Sequence, residues 1–531
     1  MKKILMSALA AFMLFAFGCS KPAETITIEK FANATPENAE IFIAYQCDKK
    51  FMKDYLSQKG AKEFLRELAK NEVLQKAISD FLTIFMLEDI ITPESINQLI
   101  TSISETDEDS FVGFNCQDFK NSFDFQEPIG ELVLSSETFV KFVKEALDKS
   151  AEKNTITKTE KTNLTLYKAE KAAILIKGNL LVFSVSEEKA NALLEAINKP
   201  LEKSFAKTQN FTKLNDIKKG ADILFFFDAN KITEENIEAM YFSGKMNSIN
   251  DVDGTFKLDL GKAAITNAKE VFENLAKRTL KKGALLKNSI SNSSFALGVS
   301  IPELSKNLVD FINKASGKSD PEFEMFIQMA KSINIKDLYF SCGELKAEQI
   351  LKIQETMQPP EMFLKIDCEN SDAFFKNPMM AQMLNSPFVS QMQVGENTIY
   401  TTMANVKFSQ AGKEGAFIST ITDLAKTTNL AKSEGETLAS NKDAKTLMDK
   451  LPDGNFIEIF IDSQKLESFI KEINNITMGE SNKIENAFYG IYKKSLAVAA
   501  VKIEGTSIII NFCGVQEVDF EKAIKQLKEL K

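Results

Sequence analysis

The sequence predicts an α+β protein of two tandem related domains, each a mainly antiparallel sheet with packed helices. Three observations predict it. Hydrophobic spacing switches between a period of 2 and a period of 3.6, and strands follow one another directly as well as alternating with helices. Short matches recur in the same order at near-constant spacing. The chain has 531 residues, 44% hydrophobic and 26% charged, a length and composition that suit two ordinary folded domains.

The matches carry the domain division. Phe114-Asn115-Cys116 answers Phe340-Ser341-Cys342, 226 residues on, and Leu166-Tyr167 answers Ile399-Tyr400, 233 on. Phe183-Ser184 answers Phe417-Ile418-Ser419, and the run Ala221 to Asp228 answers Asn455 to Asp462, both at 234. Asp253-Gly254-Thr255 answers Glu504-Gly505-Thr506, 251 apart. Each match is weak alone; their common order points to tandem duplication. The repeats are expected at 38–284 and 285–531. The seam falls near Lys282-Gly283-Ala284, where a helix runs out in lysines and a glycine.

Within the first repeat, the turn residues Thr35-Pro36-Glu37-Asn38 precede a strand at Ile41–Cys47. Residues 61–86 read as a long amphipathic helix or helix pair with Phe64, Leu68, Ile78, Phe81 and Phe85 among its apolar positions. Strands follow near 111–116 and 131–135. Ser135 or Ser136 then caps a helix bearing Val140, Val143 and Leu147 on one face. Short strands fill 164–186 around a hairpin turn at Gly178. A polar helix at 208–218 leads into an apolar strand ending in Asp228, then a hairpin turning at Gly254 and a last helix at 267–280. The second repeat reads in the same order: polar helix 441–450, a strand ending in Asp462, a hairpin at Glu504-Gly505 and a helix at 518–530. Asp228 and Asp462, each before a helix, are expected as N-caps.

The N-terminus supplies an address. Met1-Lys2-Lys3 is positive, and Ile4 to Phe17 is an apolar run of 14 residues broken only by Ser7. As a helix it reaches roughly 20 Å, short of the ~30 Å of a bilayer core, so it reads as a secretory signal. The run ends Ala16-Phe17-Gly18-Cys19, followed by Ser20-Lys21-Pro22. A small residue directly before a cysteine at this place resembles the lipobox of bacterial lipoproteins. The resemblance implies a signal peptide at 1–18, cleavage before Cys19, a diacylglyceryl thioether on its sulfur and a tether at 19–37. Acyl chains contribute about 0.8 kcal/mol per buried CH₂, enough for two or three of them to hold the chain on a membrane. Ser20, where Asp would mark inner-membrane retention in enteric bacteria, implies the outer membrane, facing the periplasm or the cell surface. A lipobox followed by two such repeats also resembles, in organisation, bacterial lipoprotein families of unknown function. That likeness transfers no activity and no site residues.

Composition excludes much chemistry. The chain has no histidine, so Ser-His-Asp and Cys-His nucleophile systems and His-ligated zinc are out of reach. A net charge of −9 gives no electrostatic footprint for nucleic acid. Beyond Cys19, the cysteines 47, 116, 342, 368 and 513 lie in strand-like runs with no CxxC spacing, and read as small buried hydrophobes. Gly317-Lys318-Ser319 and Gly261-Lys262 lack the rest of a phosphate loop, and Asp251-Asp253-Gly254 lacks the first and twelfth positions of a calcium loop. Glu105, Asp107, Glu108 and Asp109 read as a solvated loop. Ser150 and Lys153 have S-x-x-K spacing at a charged helix end. Lys277, Arg278, Lys281 and Lys282 suit a helix C-terminus. With no tryptophan and 8 tyrosines, the 42 phenylalanines are expected to fill the core rather than line a lipid pocket.

No catalytic residue, metal site or cofactor is assigned. The leading expectation is a non-enzymatic, lipid-anchored envelope protein, bound to the membrane through Cys19 and binding or scaffolding a protein partner. The alternatives are a carrier of an apolar ligand and a histidine-independent envelope hydrolase using carboxylates or a Ser-Lys pair.

Overall fold

A computed structural model describes residues 26–71, 75, 92–105, 108–119, 130–153, 155–169, 172–232, 237–248, 250–261, 272–302, 331–352, 358–394, 397–477 and 491–529. The signal, Cys19, Ile78, Phe81, Phe85, Asp107, Lys262 and Gly317-Lys318-Ser319 lie outside them. The fold is α+β, as the sequence predicts. It divides into two compact units, Met1–Leu258 with Val518–Lys531, and Asp259–Glu517.

The strands of the first unit are β1 (Ile41–Cys47), β2 (Ser110–Cys116), β3 (Glu131–Ser135), β4 (Thr157–Lys161), β5 (Leu164–Ala169), β6 (Ala172–Lys177), β7 (Leu180–Ser184), β8 (Ile223–Phe227), β9 (Ile237–Ser248) and β10 (Asp251–Leu260), the last ending at the division. Antiparallel pairing gives the order β4-β5-β6-β7-β3-β2-β1-β8-β9. The second unit has β11 (Phe295–Ser300), β12 (Ile335–Cys342), β13 (Met362–Cys368), β14 (Val389–Val394), β15 (Asn397–Thr402), β16 (Lys407–Gln410), β17 (Gly415–Ser419), β18 (Ile457–Asp462), β19 (Tyr492–Glu504) and β20 (Ser507–Val518). Its order is β14-β15-β16-β17-β13-β12-β11-β18-β19, the same sequence of pairings strand for strand.

Smaller details recur as well. Thr35 Oγ1 donates to the Phe31 carbonyl at 2.9 Å, and Ser289 Oγ to the Leu285 carbonyl at 2.7 Å. The Thr35 carbonyl then accepts from the Phe205 N–H, and the Ser289 carbonyl from the Leu438 N–H. Each latch opens a 3₁₀ turn, Phe205–Lys207 or Leu438–Ser440.

Residues 28–34, expected within a tether, form the helix Ile28–Ala34, capped by Thr27, with Phe31 and Ala32 fully buried. Seven residues are too few to give a readable helical period. Of the region 61–86, residues 72–74 and 76–86 lie outside the described residues; its described part opens with the helix Ala61–Ala69, preceded by an unexpected helix Lys49–Leu56 capped by Asp48. The C-terminal helix Phe520–Glu529 packs on Ala61–Ala69: Phe520 meets Phe64 at 5.6 Å between centroids, and Lys528 pairs with Glu63 at 3.1 Å. Gly60, at φ 90°, brings its backbone against Phe520, where a Cβ would sit 2.8 Å from that residue's own. Gly283, the expected seam, lies inside the second unit at the left-handed start of the helix Ala284–Lys287. Arg278 and Leu280 also bond within that unit, to the carbonyls of Ile301 and Asn455.

Of the two expected hairpin turns, the one at Glu504-Gly505 is found in place and the one at Gly254 is not. Gly505 is a turn residue at φ 59°, between β19 and β20. Gly254 sits inside β10: β9 ends at Ser248 and β10 begins at Asp251, and between them the Asn250 N–H donates to Ser248 Oγ at 3.2 Å. The Gly254–Gly505 match is therefore not positional.

Candidate functional site

Paired residues on adjacent antiparallel strands share a face of the sheet, so cross-strand rows compare the two units position by position. In the first unit one row runs Leu224, Ala44, Gly113, Val133, Val182. The same row in the second unit is Glu458, Gly298, Tyr339, Lys365, Phe417.

The first row is apolar and closed by phenylalanine. Phe31 lies over Gly113, where a Cβ would come within 2.7 Å of the ring. Around it Phe42, Phe111, Phe205, Phe211 and Phe226 pack ring to ring, with centroids from 4.7 Å (Phe42–Phe205) to 6.1 Å (Phe42–Phe211). The phenylalanine excess here is core.

The second row is polar. Lys365 Nζ donates to Asn288 Oδ1 at 2.9 Å and to Ser433 Oγ at 2.8 Å, and lies 3.7 Å from Asp367 Oδ1. Burial pushes the Asp367 carboxyl up while the Lys365 amine opposes it. Burial, then the charges of Asp337 and Asp367, hold the Tyr339 phenol far above its ordinary range, so it stays protonated. Glu458 is 4% exposed, and burial pushes its carboxyl up to about 6 against the opposing Asn455 side chain. Glu458 Oε2 and Asn455 Oδ1 are both buried acceptors without a donor among the described residues. Among the described residues the cluster holds no activated nucleophile: the phenol is neutral and the amine is occupied by three oxygens.

The residues singled out by spacing disperse once placed, and none forms a site. Ser150 is 2% exposed with its hydroxyl 2.5 Å from that of Thr155, whereas Lys153 is exposed at the helix C-cap. Asp462 Oδ1 accepts from the Lys465 N–H at 3.2 Å, an N-cap contact, and Asp228 pairs with Lys231 at 3.4 Å beside the helix Ala229–Ile232. Glu108 is buried and its carboxylate takes the N–H groups of Glu137 and Thr138, a second cap beside Ser136 on the helix Glu137–Glu152. The cysteines 47, 116, 342, 368 and 513 are buried thiols in strands, and burial pushes Cys342 up to about 11. Lys407, not singled out in the sequence, is 5% exposed; its amine donates to Asn405 Oδ1 and the Ile421 carbonyl at 2.7 Å each.

The other contrast lies at the sheet edges. β4 and β14 hold the same place, each pairing with one strand among those described, β5 and β15. In the first unit Lys158 on β4 pairs with Asp148 of the helix Glu137–Glu152 at 2.7 Å and with Glu160 at 2.7 Å. Asp148 also accepts from the Tyr167 hydroxyl of β5 at 2.6 Å. In the second unit that helix is broken at Pro378 into Ser371–Lys376 and Pro378–Leu384. Asn377 turns extended there, at ψ 130°. Among the described residues no ion pair pins β14. Residues 377–406 contain one charged residue, Glu396, where the corresponding 144–173 contain twelve. Phe388 is 66% exposed, Met392 56% and Met403 70%. Val389 pairs with Thr402, so the register carried one residue further sets Phe388 against Met403. The sequence signal for this surface was the charge gap between Lys376 and Lys407.

No family profile matches the chain, and no curated protein matches it. Among solved structures the chain is similar to TP0453 in two crystal forms. Form IV is 13% identical over 45% of this chain and 84% of that chain, with a TM-score of 0.24. Form I is 12% identical over 47% of this chain and 87% of that chain, also at 0.24.

Proposed function

We propose that the chain is a lipid-anchored protein of the bacterial cell envelope, held by Cys19, whose duplicated body is a non-enzymatic binding module. The address rests on the pattern Met1 to Ser20, and the repeat on the common strand order. The binding reading is carried by one observation: the uncharged, exposed β14 edge of the second unit, where the first unit carries charge. Soluble proteins blunt free edges with lysines, glutamates or covering elements, so a bare one is a pairing surface. The buried polar row supports binding rather than chemistry, since its groups are engaged with one another.

The anchor is tested by Cys19→Ala followed by fractionation of intact cells. Release of the chain from the membrane, uncleaved, is expected. Full-length chain retained on the membrane would sink the lipid anchor.

A further inference from the structure

We propose that β14 pairs with β14 of a second copy of this chain, antiparallel about a two-fold axis at Gln391. The proposal rests on the binding reading above and names its partner.

The free edge of a strand presents a row of backbone N–H and C=O groups that require partners in any dry environment. This argues against the bilayer as occupant. An open sheet edge entering hydrocarbon leaves several groups unsatisfied at several kcal/mol each, on the order of ten or more for a strand of this length. A second strand satisfies them in register and covers the exposed side chains as well.

The sequence of the edge is suited to itself. Val389-Ser390-Gln391-Met392-Gln393-Val394 carries no charge, so two copies of it meet without like-charge repulsion. A two-fold axis normal to the sheet keeps each side chain on its own face, so paired residues must share a face. Centred on Gln391, the register sets Ser390 opposite Met392, Val389 opposite Gln393 and Phe388 opposite Val394. An aromatic then meets a β-branched residue on both sides of the axis, and the two Gln391 amides face each other. In a chain of net charge −9, two copies repel over most of their surface. Residues 377–406, with Glu396 as their one charge, can meet themselves without that repulsion. The corresponding strand β4 carries Lys158, Glu160 and Lys161, all exposed, with Lys158 already committed to Asp148.

The test is native mass spectrometry of the mature lipidated chain released from detergent at about ten micromolar, with two variants. Wild type is expected as a dimer. Gln391→Lys, which sets two ammonium groups face to face on the axis, should lower the dimer fraction about tenfold. Gln391→Cys should join two copies covalently on air oxidation, since directly opposed residues have Cα separations of about 4.5–5.5 Å, within disulfide range. The native cysteines 47, 116, 342, 368 and 513 are buried and do not compete. A dimer that survives Gln391→Lys, or a Gln391→Cys chain that forms no cross-link, overturns this pairing. Monomer carrying a different protein, lost with Gln391→Lys, overturns the second copy and keeps the binding reading. Bare monomer at every concentration overturns both.

Discussion

The two units share one strand order but differ at matching positions. Where the first has Leu224, Ala44, Gly113, Val133 and Val182, the second has Glu458, Gly298, Tyr339, Lys365 and Phe417. Where the first edge strand is tied down by Lys158 and Asp148, the second carries no ion pair among the described residues. The lesson is that pairing topology survives exchange of an apolar row for a polar one, provided the polar groups find partners. The edge is freer still, since water takes any backbone group a strand does not. The difference is the observation on which the proposed binding role of the second unit rests.

The comparison can be broken in the cores first. Phe31→Ala removes the ring filling the space above Gly113 and should cost about 3–5 kcal/mol, seen in denaturant unfolding. The equivalent position in the second unit is Leu285, fully buried; Leu285→Ala should cost less, about 2–3 kcal/mol, because Tyr339 fills part of that space from the sheet. Equal losses would show that the two cores are packed alike.

Lys365→Met should cost about 2 kcal/mol, since Asp367 loses its paired cation and Ser433 Oγ its donor, while Asn288 Oδ1 keeps the Ser433 hydroxyl. Its counterpart Val133→Met, in a dry row, reports overpacking alone, at about 1 kcal/mol.

Glu458 sharpens the contrast through pH. Its folded carboxyl is raised to about 6 from the ordinary 4.5, so the protonated form favours folding. That contribution is complete below about 4.5 and lost as pH rises through about 6. Glu458→Gln keeps a neutral side chain throughout, so its advantage over wild type should grow across that window to about 2 kcal/mol at pH 7. A pH-independent difference between the two unfolding curves would show that Glu458 is ionised and paired in the folded chain.

The smallest effect is at the first edge. Lys158→Gln with Glu160→Gln leaves Lys161 as the one charge on β4, and should change stability by less than about 1 kcal/mol, because the pairs lie near the surface.

Much of the fold was legible because it rests on local periodicity. Ile41–Cys47 and Glu131–Ser135 match the expected strands, Ser136 is a cap, and Gly178 turns a hairpin at φ 61°. β4 was illegible since all five of its side chains are exposed, leaving no alternation to read. β14 hid for a related reason: its run of polar and methionine residues has neither period. The polar row was beyond reach, since Glu458, Tyr339 and Lys365 lie far apart in sequence and meet only through the register of β18, β11, β12 and β13. The helix Phe520–Glu529 was read correctly as a helix, but its packing against Ala61–Ala69 depends on a contact across some four hundred and fifty residues.

The most direct test of the central contrast is amide hydrogen exchange of the intact chain at two concentrations, comparing Thr157–Lys161 with Val389–Val394. Protection of Val389–Val394 should rise with concentration while Thr157–Lys161 stays unchanged. Exchange independent of concentration in both strands would contradict the claim that the bare edge is a pairing surface between copies.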